Sequence, residues 1–484
     1  MTEQRLPHPF ISAIPLIVLI GLMAVAVTLF GSDSLSGGSQ IALLMGTAVC
    51  VAISMLFYRV PWKTFEQQLT KTLGGISVTL IILLTVGMLS GSWMISGVVP
   101  TMIYYGVQFM SPQFFLVCSC IISALISLLS GSSWTTIATI GVALLGIGQA
   151  LGISEAWTAG AIISGAYFGD KMSPLSDTTI LASSTTGTDL FTHIRYMVYT
   201  TVPSFLIALI IFLIAGFGWD AETELYTAQY TEGLADTFNI SLWTLLVPVL
   251  TGVLIAKRIP SLITLFASSL MAGIAALILQ PHILCQIADT GDEQTPAALT
   301  RGLAIAYYGA TSIDTGNASL NDLVSTGGMA GMLNTIWLIL CAMCFGSVMV
   351  ASRMIESLTQ VIISLVRTRI SLIASTVSTG IFFNIATGDQ YISIVLTADI
   401  YRHIFARQGY EQKLLSRTAE DAATVTSVLI PWNTCGMTQA TVLGVPTLTY
   451  LPYCFFNLIS PLIAIFMAAI GWKIKRNKPS HTAP

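Results

Sequence analysis

Residues 165–179 read Gly165-Ala-Tyr-Phe-Gly-Asp170-Lys171-Met-Ser-Pro174-Leu-Ser-Asp177-Thr178-Thr179, which places three charges inside an apolar run. Upstream lies AWTAGAIISGAYF and downstream TTILASS, so the charges fall mid-span with Pro174 between them. Ionisable side chains at membrane depth are costly and seldom face lipid, so such a stretch is a candidate functional site. The competing reading is a loop that holds the same charges in water between two helices. The distribution of basic residues along the chain chooses between the two.

The 484 residues are 54% hydrophobic and 9% charged, with a mean hydropathy of +0.80. A soluble domain carries about 25% charged residues, so the composition belongs to an all-α polytopic membrane protein. A net charge of −3 with no basic block excludes nucleic acid as a partner. The first apolar run, 10–30, is too long for a signal-peptide core and reads as a true span. The eight cysteines fall almost all inside apolar runs and read as small buried hydrophobes. Cys341 and Cys344 have CxxC spacing but no histidine or carboxylate beside them, so metal or redox use is not indicated.

A helix needs about 20 apolar residues to cross a ~30 Å hydrocarbon core. That length marks spans near 10–30, 40–58, 73–90, 196–218, 240–256, 260–280, 329–351 and 446–471. The regions 91–190 and 353–443 are apolar too, but broken by Gly, Pro, Ser, Thr, Asn and Asp. With a cytoplasmic N-terminus, 18 of the 20 basic residues fall on one side, including Arg195, Arg258, Arg402 and Arg417. The opposite loops, 219–238 and 281–300, are acidic and contain no Lys or Arg.

This topology closes only if 113–150 and 371–401 are re-entrant hairpins and 155–186 and 416–443 are broken crossings. The chain then forms about 10 transmembrane helices and two hairpins in two inverted repeats. Residues 1–218 form the first repeat (scaffold 10–58, transport part 73–218). An extracellular loop at 219–239 follows. Residues 240–471 form the second repeat (scaffold 240–280, transport part 329–471), and 472–484 a cytoplasmic tail. Paired broken helices in inverted repeats are the pattern of secondary transporters, with the site near the midplane. The stretch 301–328 has no counterpart and reads as an extracellular loop or partial re-entrant segment.

The first hairpin tip, Ser130–Thr136, offers Ser132, Ser133 and Thr135, and irregular backbone at that depth must line a cavity or be buried in protein. The second tip offers Asn384, Thr387, Asp389 and Gln390, where Asp389 is either a cation ligand or the cap of the helix that follows. Pro174 and Pro431 each force a helix break, placing Asp177 and Thr178 in the first and Asn433 and Thr434 in the second. Ser132 to Asp177 and Gly388 to Asn433 are both 45 residues, which matches Asn433 to Asp177. Asp170 and Lys171 are adjacent, so their side chains diverge toward separate partners while tuning the site as a charge pair. Glu420 and Asp421 begin the second broken helix ~18 Å earlier, at 1.5 Å per residue, which suits a solvated vestibule as well as a ligand. Hard oxygen ligands suit Na⁺, and carboxylates that can change protonation suit H⁺. Asp177 and Asp389 are the expected Na⁺ carboxylates. No phosphate loop, nucleophile elbow or Cys/His cluster is present, so no catalysis and no cofactor is expected. The five histidines read as tail or connection residues.

At SGSSWTT, GDKMSPLSDTTILAS, NIATGDQYISIVL and EDAATVTSVLIPWNTCG the sequence resembles the NhaC-type Na⁺/H⁺ antiporter family. The resemblance covers most of the chain. It implies Na⁺/H⁺ exchange across a bacterial inner membrane, with the transported Na⁺ and H⁺ and membrane lipid as partners. It also implies a homodimer and elevator motion, and the alternative of a malate/lactate-type organic-anion exchanger coupled to H⁺ and Na⁺.

Overall fold

A computed structural model describes residues 6–30, 37–218, 223–291, 294–316 and 318–474. Arg5, Asp220, Glu222, Asp292, Glu293 and most of the expected tail (475–484) lie outside the described residues. The described chain is helical almost throughout, with a single isolated bridge between Thr311 and Thr326. Nine of its helices are long and apolar enough to cross a membrane, and eleven spans result if each of two bent pairs counts as one. In hydrocarbon every backbone group must pair within the segment, so uncharged runs of this length become helices.

The long apolar spans match Pro9–Phe30, Gly38–Tyr58, Ser261–Leu279 and Leu333–Ala351. The span expected at 446–471 is instead two helices, Thr447–Tyr453 and Phe455–Ile470, bent by 56°, the loop expected at 219–239 contains helix Thr223–Thr237, and two boundaries shift. The third helix starts at Trp62 and ends at Ile95, 34 residues in all, because the polar stretch 62–72 is helical as well. The span expected at 196–218 begins at Leu190, where Asp189 accepts a hydrogen bond from the Thr192 N–H at 2.9 Å and caps it. That backbone bond also holds the exposed Asp189 carboxyl below the usual carboxylate range. The 301–328 region forms helix Pro296–Tyr308 and the short helix Ala318–Val324, and Ala306 packs its carbonyl against Gly91 of the third helix.

Helix bounds recur 257 residues apart. Pro112–Ser130 is followed at that interval by Arg369–Thr387. Ser133–Ala150 is followed by Gln390–Arg407, and Asp177–Thr186 by Thr434–Leu443. Pro174 and Pro431 stand at the same interval. Each helix pair turns on a glycine in the left-handed region, Gly131 at φ 68° and Gly388 at φ 67°. Helix Glu155–Met172 lies against Pro112–Ser130 so closely that a Cβ at Gly165 or Gly169 would strike the carbonyls of Cys120 and Ala124. Small residues at such an interface let two helices approach without side chains between them.

Candidate cation cavity and a buried charge network

The Gly131 turn, the Pro174 break and the start of helix Gln390–Arg407 enclose a cavity of about 380 Å³. Ser132, Thr135, Asp170, Asp177, Thr178 and Gln390 line it, and Arg258 stands on its wall from the loop before Ser261. Asp170 is buried and accepts a hydrogen bond from the Ser133 hydroxyl at 2.7 Å. Asp177 is exposed at the first residue of its helix, and its charge acts on Asp170. Among the described residues, no ion pair involves Asp170, Asp177 or Asp389. Burying a lone carboxylate charge costs several kcal/mol, roughly, so Asp170 needs a proton or a cation. Serine and threonine hydroxyls and two carboxylates form an all-oxygen donor set with the hardness a small alkali cation prefers.

Backbone geometry explains why these groups face inward. Ser132 caps the helix after the turn, its Oγ accepting from the Thr135 N–H at 3.2 Å. Ser176 caps the helix after the break, bonded at 2.9 Å to the Thr178 hydroxyl. The Gln390 side chain accepts from the Cys435 thiol at 2.7 Å, while its Nε2 has no hydrogen-bond partner among the described residues.

The remaining second-tip residues form a closed set outside the cavity lining. Asn384 Nδ2 donates to the Ala423 carbonyl at 2.7 Å, and Asn433 Nδ2 donates to the Asn384 carbonyl at 3.2 Å. Asp389 caps its helix through the Ile392 N–H at 2.9 Å and accepts weakly from Thr434 at 3.4 Å. Thr387 donates to the Phe383 carbonyl at 2.8 Å. The equivalent position to Asp177 is Thr434, one residue beyond the Asn433 expected from sequence, because the turns align on Gly131 and Gly388.

Lys171 leaves Asp170 and points the other way, into an ion pair with Asp421. Asp421 also accepts from Thr200 at 3.0 Å and Ser460 at 3.2 Å, and the Arg417 Nε lies 3.7 Å away. Lys171, Arg417, Glu420 and Asp421 are all fully buried, which corrects the vestibule reading of Glu420 and Asp421. His193 is likewise buried in helix Leu190–Gly216, its Nδ1 paired at 2.7 Å with Ser416, and is not a connection residue. Asp421 stands 250 residues from Lys171, so periodicity carried no signal for this network.

The profile of the Na⁺/H⁺ antiporter family matches residues 5–185 and 165–472. The NhaC Na⁺/H⁺ antiporter of Alkalihalophilus pseudofirmus is 38% identical, over 87% of this chain and 89% of that protein. NhaC of Bacillus subtilis is 35% identical, over 88% and 91%. The malate-2H⁺/Na⁺-lactate antiporter of Bacillus subtilis is 32% identical, over 99% and 98%.

Proposed function

The chain belongs to the Na⁺/H⁺ antiporter family, and from that premise we propose that it exchanges Na⁺ for H⁺ across a bacterial inner membrane with both termini cytoplasmic. The single observation that carries the reading is the buried Asp170, with no Lys or Arg partner among the described residues, beside Asp177 at one cavity. Na⁺ binds the Asp170 and Asp177 carboxylates with Ser132, Ser133, Thr135 and Thr178 as neutral ligands. A proton takes its place on the same carboxylates when the cavity faces the other side. Competition of the two ions for one site is enough to couple their opposite movements. The Cys435 thiol holds the Gln390 side chain at the cavity wall. The 257-residue recurrence of helix bounds supports two repeats, and the 18 basic residues assigned to one side support their inverted sense.

A second reading has its own support. Arg258, Gln390 and three helix N-termini meet at the cavity, and such termini attract carboxylates. The malate/lactate relative matches the chain end to end. Purified protein in proteoliposomes separates the two. Na⁺-driven alkalinisation or acidification without organic acid supports the cation antiporter, whereas exchange only in the presence of malate or lactate supports the anion exchanger.

A further inference from the structure

The proposed cycle uses neither carboxylate of the buried network, and of the two Glu420 is the one without an ion pair among the described residues. It begins a π-helical turn, Glu420–Thr424, in the second broken helix, and wide turns of this kind are frequent at functional sites. Its side chain is fully buried, and neither oxygen has a hydrogen-bond partner among the described residues. Among the described residues no ion pair reaches it either: Lys171 pairs with Asp421, and the Arg417 Nε lies 3.7 Å from Asp421 with its guanidinium making no hydrogen bond. The Thr424 hydroxyl is the polar group that bears on Glu420 from one turn away, and among the described residues it falls outside hydrogen-bond geometry.

The fold does not demand this charge. The residue 257 positions earlier is Ile163, buried at the same place in the first broken helix, while Asp421 corresponds to Ser164. The first broken helix, α-helical throughout, therefore accepts an apolar side chain where the π turn of the second carries a carboxylate. A buried carboxylate without donor or cation is stable only when it holds a proton.

We propose that Glu420 is a proton-carrying site separate from the cation cavity, adding one proton to each transport cycle. This rests on the cation reading of the cavity, and the two sites sense each other. Asp170, Lys171 and Asp421 act on Glu420 electrostatically. Of the elements packed on the π turn, helix Asp177–Thr186 contributes Asp177, helix Gln412–Ala419 Lys413 and Arg417, and helix Gln390–Arg407 Tyr391, Asp399, Tyr401, Arg402, His403 and Arg407. Helix Arg369–Thr387 brings only Arg369 at its far end, and Phe455–Ile470 brings no ionisable side chain. Na⁺ arriving at Asp170 replaces a proton there and leaves Glu420 free to give its own proton to water once the break opens. The same atom takes a proton back from water on the return.

The test is the H⁺/Na⁺ ratio, read in proteoliposomes from the ion gradients that bring net ²²Na⁺ flux to zero. In Glu420→Gln the ratio is expected to fall by one proton, with ²²Na⁺ binding kept within about threefold of wild type. An unchanged ratio overturns the proposal. If the Gln variant does not transport or does not fold, Glu420→Asp decides. Transport at the wild-type ratio with a displaced pH profile supports a titrating group, whereas an inactive or pH-unaltered Asp variant overturns it. Asp170→Asn, measured in parallel, separates the two claims, since retained ²²Na⁺ binding there defeats the cavity reading whatever Glu420 does.

Discussion

Gly131 and Gly388 close their helices with φ of 68° and 67°, and each hands the chain to a capping side chain, Ser132 in one turn and Asp389 in the other. Below them Ser127 donates to the Ala166 carbonyl at 2.5 Å, and Asn384 donates to the Ala423 carbonyl at 2.7 Å, again 257 residues apart. The frames coincide, but the contents do not. The first turn faces a cavity that Asp170 and Asp177 line. The second fills the same space with Asn384, Thr387, Asn433 and Thr434 bonded to one another and to backbone. The repeated backbone thus supplies two places where a site could form, and side-chain closure decides which of them stays open.

Substitutions at equivalent positions test that difference. The largest effect is expected at residue 171. Lys171→Ala leaves Asp421 buried with a weakened partner set and should cost about 3–5 kcal/mol of stability, whereas Val428→Ala, at the equivalent place, should cost about 2 kcal/mol. Thermal unfolding in detergent reads both, and equal losses would remove the charge asymmetry from the account. Next come the glycines. A Cβ at Gly131 meets the Leu175 backbone at 2.7 Å, while at Gly388 the nearest atoms lie at 3.2 Å. Gly131→Ala should therefore cost about 3 kcal/mol and Gly388→Ala about 1–2 kcal/mol, both including the left-handed penalty. The same melts check the order.

Smaller still is the cap. Asp389→Ala should lose about 1 kcal/mol and Asp389→Asn a few tenths, roughly, since asparagine caps as well as aspartate. If Asp389→Asn instead abolishes transport while Asp389→Ala and Asp389→Asn unfold alike, the second turn is a ligand site and not a closed one. Finally, Ser132→Cys should react with a hydrophilic maleimide added from the cytoplasmic side at least roughly tenfold faster than Thr387→Cys, which lies 1% exposed. Equal labelling would mean that the second turn is open too.

Much of this was legible in the sequence. Uncharged 20-residue runs gave the spans because hydrocarbon leaves a chain no other way to pair its backbone. Pro174, Pro431 and the Gly/Ser/Thr tips marked the breaks, because proline cannot donate and glycine alone enters the left-handed region cheaply. The separation of Asp170 from Lys171 followed from their adjacency. Tertiary partners were not legible: Lys171–Asp421 spans 250 residues and His193–Ser416 spans 223. Depth was misjudged for Glu420 and Asp421, since distance along a helix says nothing about what packs around it. The one-residue slip between Asn433 and Thr434 arose from aligning Ser132 with Gly388, and the left-handed glycines correct it.

The central claim is that the cation sits between the Gly131 turn and the Pro174 break. Equilibrium binding of ²²Na⁺ to the purified protein tests it most directly, in wild type, Asp170→Asn and Asp389→Asn. The account predicts a saturable site that protons displace, lost in Asp170→Asn and kept in Asp389→Asn. Binding that survives in Asp170→Asn, or vanishes only in Asp389→Asn, would contradict it.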